Sequence, residues 1–220
     1  MISAGTTGAF GIPIPGGVDA GVIINNYGPY GGASDAGGNF WVFNSNTTHL
    51  IRVDNATGTW RSWEVPNSNG YGITIDSVGR VFVCGMLGIS RFDPATETWA
   101  SDNRSVALGF NGCMTDGAGT LWVGGGADMG TPGLHGFDTD TLMHVGSHNV
   151  GPVKGVSIDI DGMVWGVSAS GAFGAQTANE AYRLDPVSGM WMTYDGLNGA
   201  YSYSDMTGFG LKQAGVIPII

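Results

Sequence analysis

Apolar and polar residues alternate over short runs along the chain, and turn-forming residues separate the runs. Thr59-Trp-Arg-Ser-Trp63 is one such run. Alternation with period two predicts a strand with one buried face. No segment of useful length carries the 3.6-residue period of a helix. Four stretches superpose: SDAGGNFWVF from Ser34, IDSVGRVFVC from Ile75, TDGAGTLWVG from Thr115 and IDIDGMVWGV from Ile158. Each reads Asp, two residues, Gly, then an apolar strand with an aromatic. The anchors Asp35, Asp76, Asp116 and Asp159 lie 41, 40 and 43 residues apart, and a fifth, Asp205, follows after 46. A period of this size is the mark of a repeat array in which each unit is one small sheet.

A second landmark recurs inside each unit. Asp54, Asp93, Asp138 and Asp185 each close an apolar strand, and six residues later stand Trp60, Trp99, His144 and Trp191. Each unit is therefore predicted to run strand A, Asp-x-x-Gly turn, strand B, loop, strand C, second Asp turn, strand D. The Asp side chain caps the turn's N–H groups, and Gly accepts positive φ. Four residues before the anchors stand Gly31, Gly72, Gly112 and Gly155. Glycines at these places suit innermost strands crowded around a narrow axis.

The expected fold is thus all-β: a single β-propeller domain over residues 1–220 with four-stranded antiparallel blades. The repeats cover about 31–71, 72–111, 112–154 and 155–200. Residues 201–220 with 1–30 are expected to form a closing blade, giving five. Six or seven blades, or a share in a larger ring, are the alternatives. Residues 1–20 lack the second landmark.

Composition narrows the function. Glycine is 40 of 220 residues, against a usual share of about 7%. Collagen's every-third-residue period is absent, and 42% apolar content with seven Trp excludes a disordered chain. Net charge is −10 with two lysines, Lys154 and Lys212, which argues against nucleic acid or an anionic membrane surface as partner. No run of about twenty apolar residues predicts a membrane span. The first fourteen residues lack the basic and apolar regions of a signal peptide. A surface rich in Asn, Ser, Thr and Gly points to an extracellular or cell-surface setting.

The pattern G-x-x-x-D-x-x-G-x-φ-W-V followed by R-φ-D-P-x-T-G-x-W resembles the streptogramin-lyase-like propeller repeat, and the NHL and two-component-regulator propeller repeats. The match covers roughly residues 31–212. Tyr203-Ser-Asp-Met-Thr-Gly208 resembles the last repeat of large bacterial surface proteins. The resemblance implies a propeller of bacterial origin. For the lyases it also implies C–O elimination by a His base, with acidic residues and magnesium on one face. Their strand B typically reads W-F-T-E. The equivalents here, such as Phe40-Trp-Val-Phe43 and Leu121-Trp-Val-Gly124, carry no Glu, and none of the four histidines maps onto the catalytic one.

Candidate chemistry is accordingly sparse. The anchor Asp residues read as turn caps; no metal or cofactor is expected. Trp41, Phe82, Trp122 and Trp165 share one strand B position and read as inter-blade packing. Trp63 lies off the repeated pattern and is the best candidate for an exposed aromatic. His144 and His148 stand four apart on a strand and its exit, with His148 in a loop as a base or ligand. Cys84 and Cys113 fall on strands of neighbouring blades: a disulfide is sterically allowed, and two buried free thiols are the default. Strands alternate in direction, so the B–C and D–A loops share one face. The B–C loops vary in length, with insertions at Gly124–Gly133 and Ser168–Asn179, and mark that face for binding. Five residues before each anchor stand Tyr30, Tyr71, Asn111, Lys154 and Ala200, the expected rim of the axis. The expected function is a secreted or surface-displayed propeller that binds a glycan or protein on this face. A lyase and a structural repeat module of a larger assembly are the alternatives. The apolar Ala214–Ile220 segment would allow self-association.

Overall fold

The structure, a computed structural model, describes residues 31–44, 49–66, 70–102, 106–127, 129–168, 179–200 and 202. Among these residues sixteen strands form four sheets. The first holds β1 (Gly31–Ser34), β2 (Phe40–Asn44), β3 (His49–Val53) and β4 (Trp60–Glu64). The second holds β5 (Gly70–Ile75), β6 (Val81–Gly85), β7 (Gly88–Asp93) and β8 (Thr98–Ser101). The third holds β9 (Cys113–Thr115), β10 (Thr120–Gly125), β11 (Gly133–Asp138) and β12 (His144–His148). The fourth holds β13 (Gly155–Ile158), β14 (Val164–Val167), β15 (Ala181–Leu184) and β16 (Trp191–Tyr194). Strand order follows chain order in every sheet and all pairs are antiparallel. Blade two opens slightly earlier than the repeat boundary at residue 72, because Gly70 already pairs with Gly85. The expected closing blade lies outside the described residues, except for Ser202.

The four innermost strands, β1, β5, β9 and β13, are packed in series. Glycine makes this approach possible. A methyl group on Gly72 would stand 2.9 Å from the Cys113 nitrogen and 3.0 Å from the Asn111 oxygen. The Gly112 N–H donates to the Lys154 carbonyl at 2.6 Å, next to Gly155. Burial falls from the centre outwards: β5 is buried throughout, whereas every residue of β16 is exposed.

The core lies between sheets. One cluster joins Trp41, Phe43 and Leu50 of blade one to Ile73, Val83 and Phe92 of blade two. A second joins Phe82 and Cys84 to Cys113, Leu121 and Phe137. A third joins Trp122 and Leu134 to Val156, Val164 and Tyr182. Both faces of a middle strand are therefore covered, which is why β6 reads Val-Phe-Val-Cys-Gly without alternation.

The Asp turns explain how such short strands keep register. Asp116 Oδ1 accepts from the Ala118 and Thr120 N–H groups at 2.8 and 3.0 Å, while Oδ2 accepts from the Trp122 indole at 3.1 Å. Asp35 and Asp159 do the same with Trp41 and Trp165, both at 2.8 Å. Blade two has Phe82 where the others have Trp, and there the Arg80 Nε takes the vacant oxygen of Asp76 at 2.6 Å. Burial alone would raise the Asp35 and Asp159 carboxyls, but the indole and backbone donors outweigh it and hold both below the ordinary 3.8. Asp116→Asn keeps one acceptor oxygen and turns an amide N–H₂ towards either the indole or the turn. We expect a loss of about 1–3 kcal/mol in urea denaturation. A loss under a few tenths would show that the second oxygen does nothing.

Candidate functional site

Three of the six residues expected at the site converge on the axis. Tyr71 lies on β5, Asn111 just before β9, and Lys154 just before β13. All three are buried, at 8%, 1% and 3% exposure, so they are internal groups rather than solvated loop ends. The Lys154 Nζ donates to the Phe110 carbonyl and stands 3.9 Å from the centre of the Tyr71 ring. Lys154 belongs to blade four and Tyr71 to blade two. Their contact spans blade three and requires all three blades to face one centre. Asn111 Nδ2 donates to the Leu108 carbonyl at 2.5 Å, and its Oδ1 is buried with no partner among the described residues. The Leu108 carbonyl cannot donate, so this bond fixes which way the amide points. An acceptor in that state costs free energy until a donor reaches it. Tyr30 lies outside the described residues, as do residues 169–178 of the longer B–C insertion.

Trp63 and His148 sit elsewhere, and both expectations about them need correction. Trp63 pairs with Leu50, His148 with Leu134 and Tyr194 with Ala181. These are equivalent places in three blades, so Trp63 is on a repeated position. It is half-buried, stacked on Trp41 at 5.7 Å and tilted against Phe92 of the next blade at 4.8 Å. Arg61 covers it at 5.1 Å and pairs with Glu97 of that blade. His148 is the last residue of β12 rather than a loop residue, and it packs on Trp122 at 5.9 Å. Trp63 is an inter-blade packing group, and His148 packs on an aromatic of its own blade. The register hid this: His148 falls four residues after the second landmark, and Trp63 three.

The thiols are also corrected. Cys84 and Cys113 form a disulfide between blades two and three, with Cα atoms 6.5 Å apart and no exposure of either residue.

One cluster was missed. His135 on β11 is fully buried. Its Nε2 lies 2.9 Å from the Thr131 carbonyl and its Nδ1 2.8 Å from Ser147 Oγ, which in turn lies 2.8 Å from His144 Nε2. Burial pushes the His135 imidazole below its ordinary 6.5, outweighing the Thr131 carbonyl, and the nearby His144 and His148 add to the lowering. Two sequence signals pointed here: the replacement of the landmark Trp by His144, and the extra residue before His148.

No protein-family model matches the chain, and no curated protein matches it. Solved structures do. Virginiamycin B lyase from Staphylococcus aureus matches with TM-score 0.64 at 14% identity, over 77% of this chain and 56% of the lyase. A chain of the nidogen/laminin complex matches with TM-score 0.62 at 17% identity, over 80% of this chain and 68% of that one. An extracellular domain of a one-component system from B. thetaiotaomicron matches with TM-score 0.55 at 16% identity, over 76% of this chain and 25% of that one. The chain spans about half the length of the lyase structures it matches. At such identities the likeness concerns the fold alone: the four sheets of this chain are blades of a β-propeller.

Proposed function

We propose that the protein is a secreted or surface-displayed binding propeller whose ligand is a glycan held at the axis by Asn111, Tyr71 and Lys154. One observation carries this reading: the buried Asn111 Oδ1, oriented by its own amide bond and lacking a donor among the described residues. A sugar hydroxyl supplies such a donor, and Tyr71 and Lys154, already in contact with each other, are the polar groups of the neighbouring blades at the same depth. The disulfide supports an oxidising compartment, where such bonds persist. The likeness to an extracellular sensor domain accords with that setting. The lyase alternative is weakened by strand B, which lacks the family's Glu.

The test is a glycan array probed with labelled protein, followed by calorimetric titration of the best glycan. Asn111→Leu removes the acceptor and one amide bond. We expect binding to weaken about tenfold, the worth of one neutral hydrogen bond. Melting should move by only a few degrees, because the variant loses one hydrogen bond, to the Leu108 carbonyl, while its lost acceptor had no partner among the described residues. An array with no retained glycan, or a Leu variant that binds as well as the parent, defeats the reading.

A further inference from the structure

Blade three departs from its siblings at one place. In blades one, two and four the second-landmark Trp pairs directly with the residue before the strand C Asp: Val53 with Trp60, Phe92 with Trp99, Leu184 with Trp191. In blade three Phe137 pairs with His144 and Gly136 with Gly146, leaving Val145 as an extra bulged residue. Residues three apart on a regular strand face opposite sides. The bulge cancels that, so His144 and Ser147 share a side and their polar atoms meet. Opposite Ser147 stands His135, where the equivalent places hold Ile51, Ser90 and Tyr182. Of the four described blades, this one alone puts a base across from the hydroxyl.

The hydrogen bonds have one consistent polarity. The Thr131 carbonyl only accepts, so His135 carries its proton on Nε2 and, when neutral, offers a lone pair at Nδ1. Ser147 donates its only proton to that lone pair. His144 must then donate Nε2–H to Ser147 Oγ. A nucleophile, a base within reach, and a third group orienting the base is the arrangement that activates a serine. Ser147 itself is exposed.

We propose that Ser147 is an activated nucleophile that transfers the acyl group of small carboxylic esters to water, with His135 as base and His144 as donor to the developing oxyanion. Ser147 Oγ forms a bond to the ester carbonyl carbon as its proton passes to His135 Nδ1. The ester C–O bond breaks and the leaving alkoxide takes that proton, which gives the alcohol and an acyl-serine. Water then attacks the acyl carbon as one of its protons passes to His135 Nδ1. The bond from the acyl carbon to Ser147 Oγ breaks, the acid departs, and His135 hands that proton to Ser147 Oγ. The lowered basicity of His135 keeps it unprotonated at neutral pH.

The experiment treats the whole chain with a fluorophosphonate, which phosphonylates activated serines with loss of fluoride, and reads intact mass and peptide maps. We expect one adduct, on Ser147, and none in Ser147→Ala. Loss of the base in His135→Gln should slow labelling by about 10²-fold or more. In the parent protein the rate should fall on acidification with a midpoint below that of free imidazole, which decides the matter if the His135 variant does not fold. Hydrolysis of p-nitrophenyl acetate should follow the same profile. A folded parent protein that stays unmodified, an adduct on another residue, or a rate unchanged between pH 5 and 8 overturns the proposal.

Discussion

Phe92→Ala is expected to lower the unfolding free energy by about 3–5 kcal/mol, the range for emptying a buried aromatic site. Phe92 is fully buried on β7 and its ring lies 6.0 Å from Trp41, 4.8 Å from Trp63 and 4.9 Å from Trp99. The first two belong to blade one and the third to its own blade, so truncation opens a void at a blade interface. Blades are stiff sheets tied by turns, and neither neighbour can collapse into the gap. Phe92→Leu, which keeps most of the volume, should cost less than about 1.5 kcal/mol. Parallel urea denaturation of the two variants checks this. A Phe92→Ala value near that of an exposed substitution would mean that the first two blades do not share this core.

Loss of the cross-blade disulfide should be nearly as costly. The bond closes a chain segment with a sequence separation of 29. The loop-entropy relation puts its worth at about 3–4 kcal/mol. The double substitution Cys84→Ala with Cys113→Ala should therefore melt well below the parent. Both residues are wholly inaccessible, so a reductant should act only through unfolding, and native protein should resist it. Intact mass with alkylation supplies the check. Two thiols alkylated when freshly prepared protein is unfolded without reductant, or equal stability of parent and double variant, would remove both the bond and its support for an oxidising compartment.

The two outcomes concern contacts that sequence reading treats very differently from the turns. The Asp anchors were legible because their chemistry is local. Asp35 meets Gly37, Asn39 and Trp41, all within six residues, and the same spacing returns in blades three and four. Blade two shows the same logic with a substitute donor, Arg80. The disulfide, by contrast, stood as one of two options, since neighbouring strands in a propeller permit a bond without requiring it. Trp63 was misread because its partner Phe92 lies across an interface, and no local pattern reveals which outer-strand position faces the next blade.

The site divides in the same way. Placing Tyr71, Asn111 and Lys154 at one point of each repeat was sequence arithmetic. Their depth, and the reach of Lys154 across blade three to Tyr71, came from radial packing. The cluster around Ser147 depends on a single bulged residue, Val145, which moves His144 to the other face of its strand. One residue more or less changes the facing of everything beyond it, and composition cannot show that.

By itself, then, the sequence determined the repeat, the four-strand unit and the capped turns, because each rests on interactions within a few residues along the chain. The tertiary structure alone decided which side chains are buried between blades, which cysteines bond and which histidines meet a hydroxyl. Those depend on distances between segments tens of residues apart, set by how whole sheets pack around a common centre.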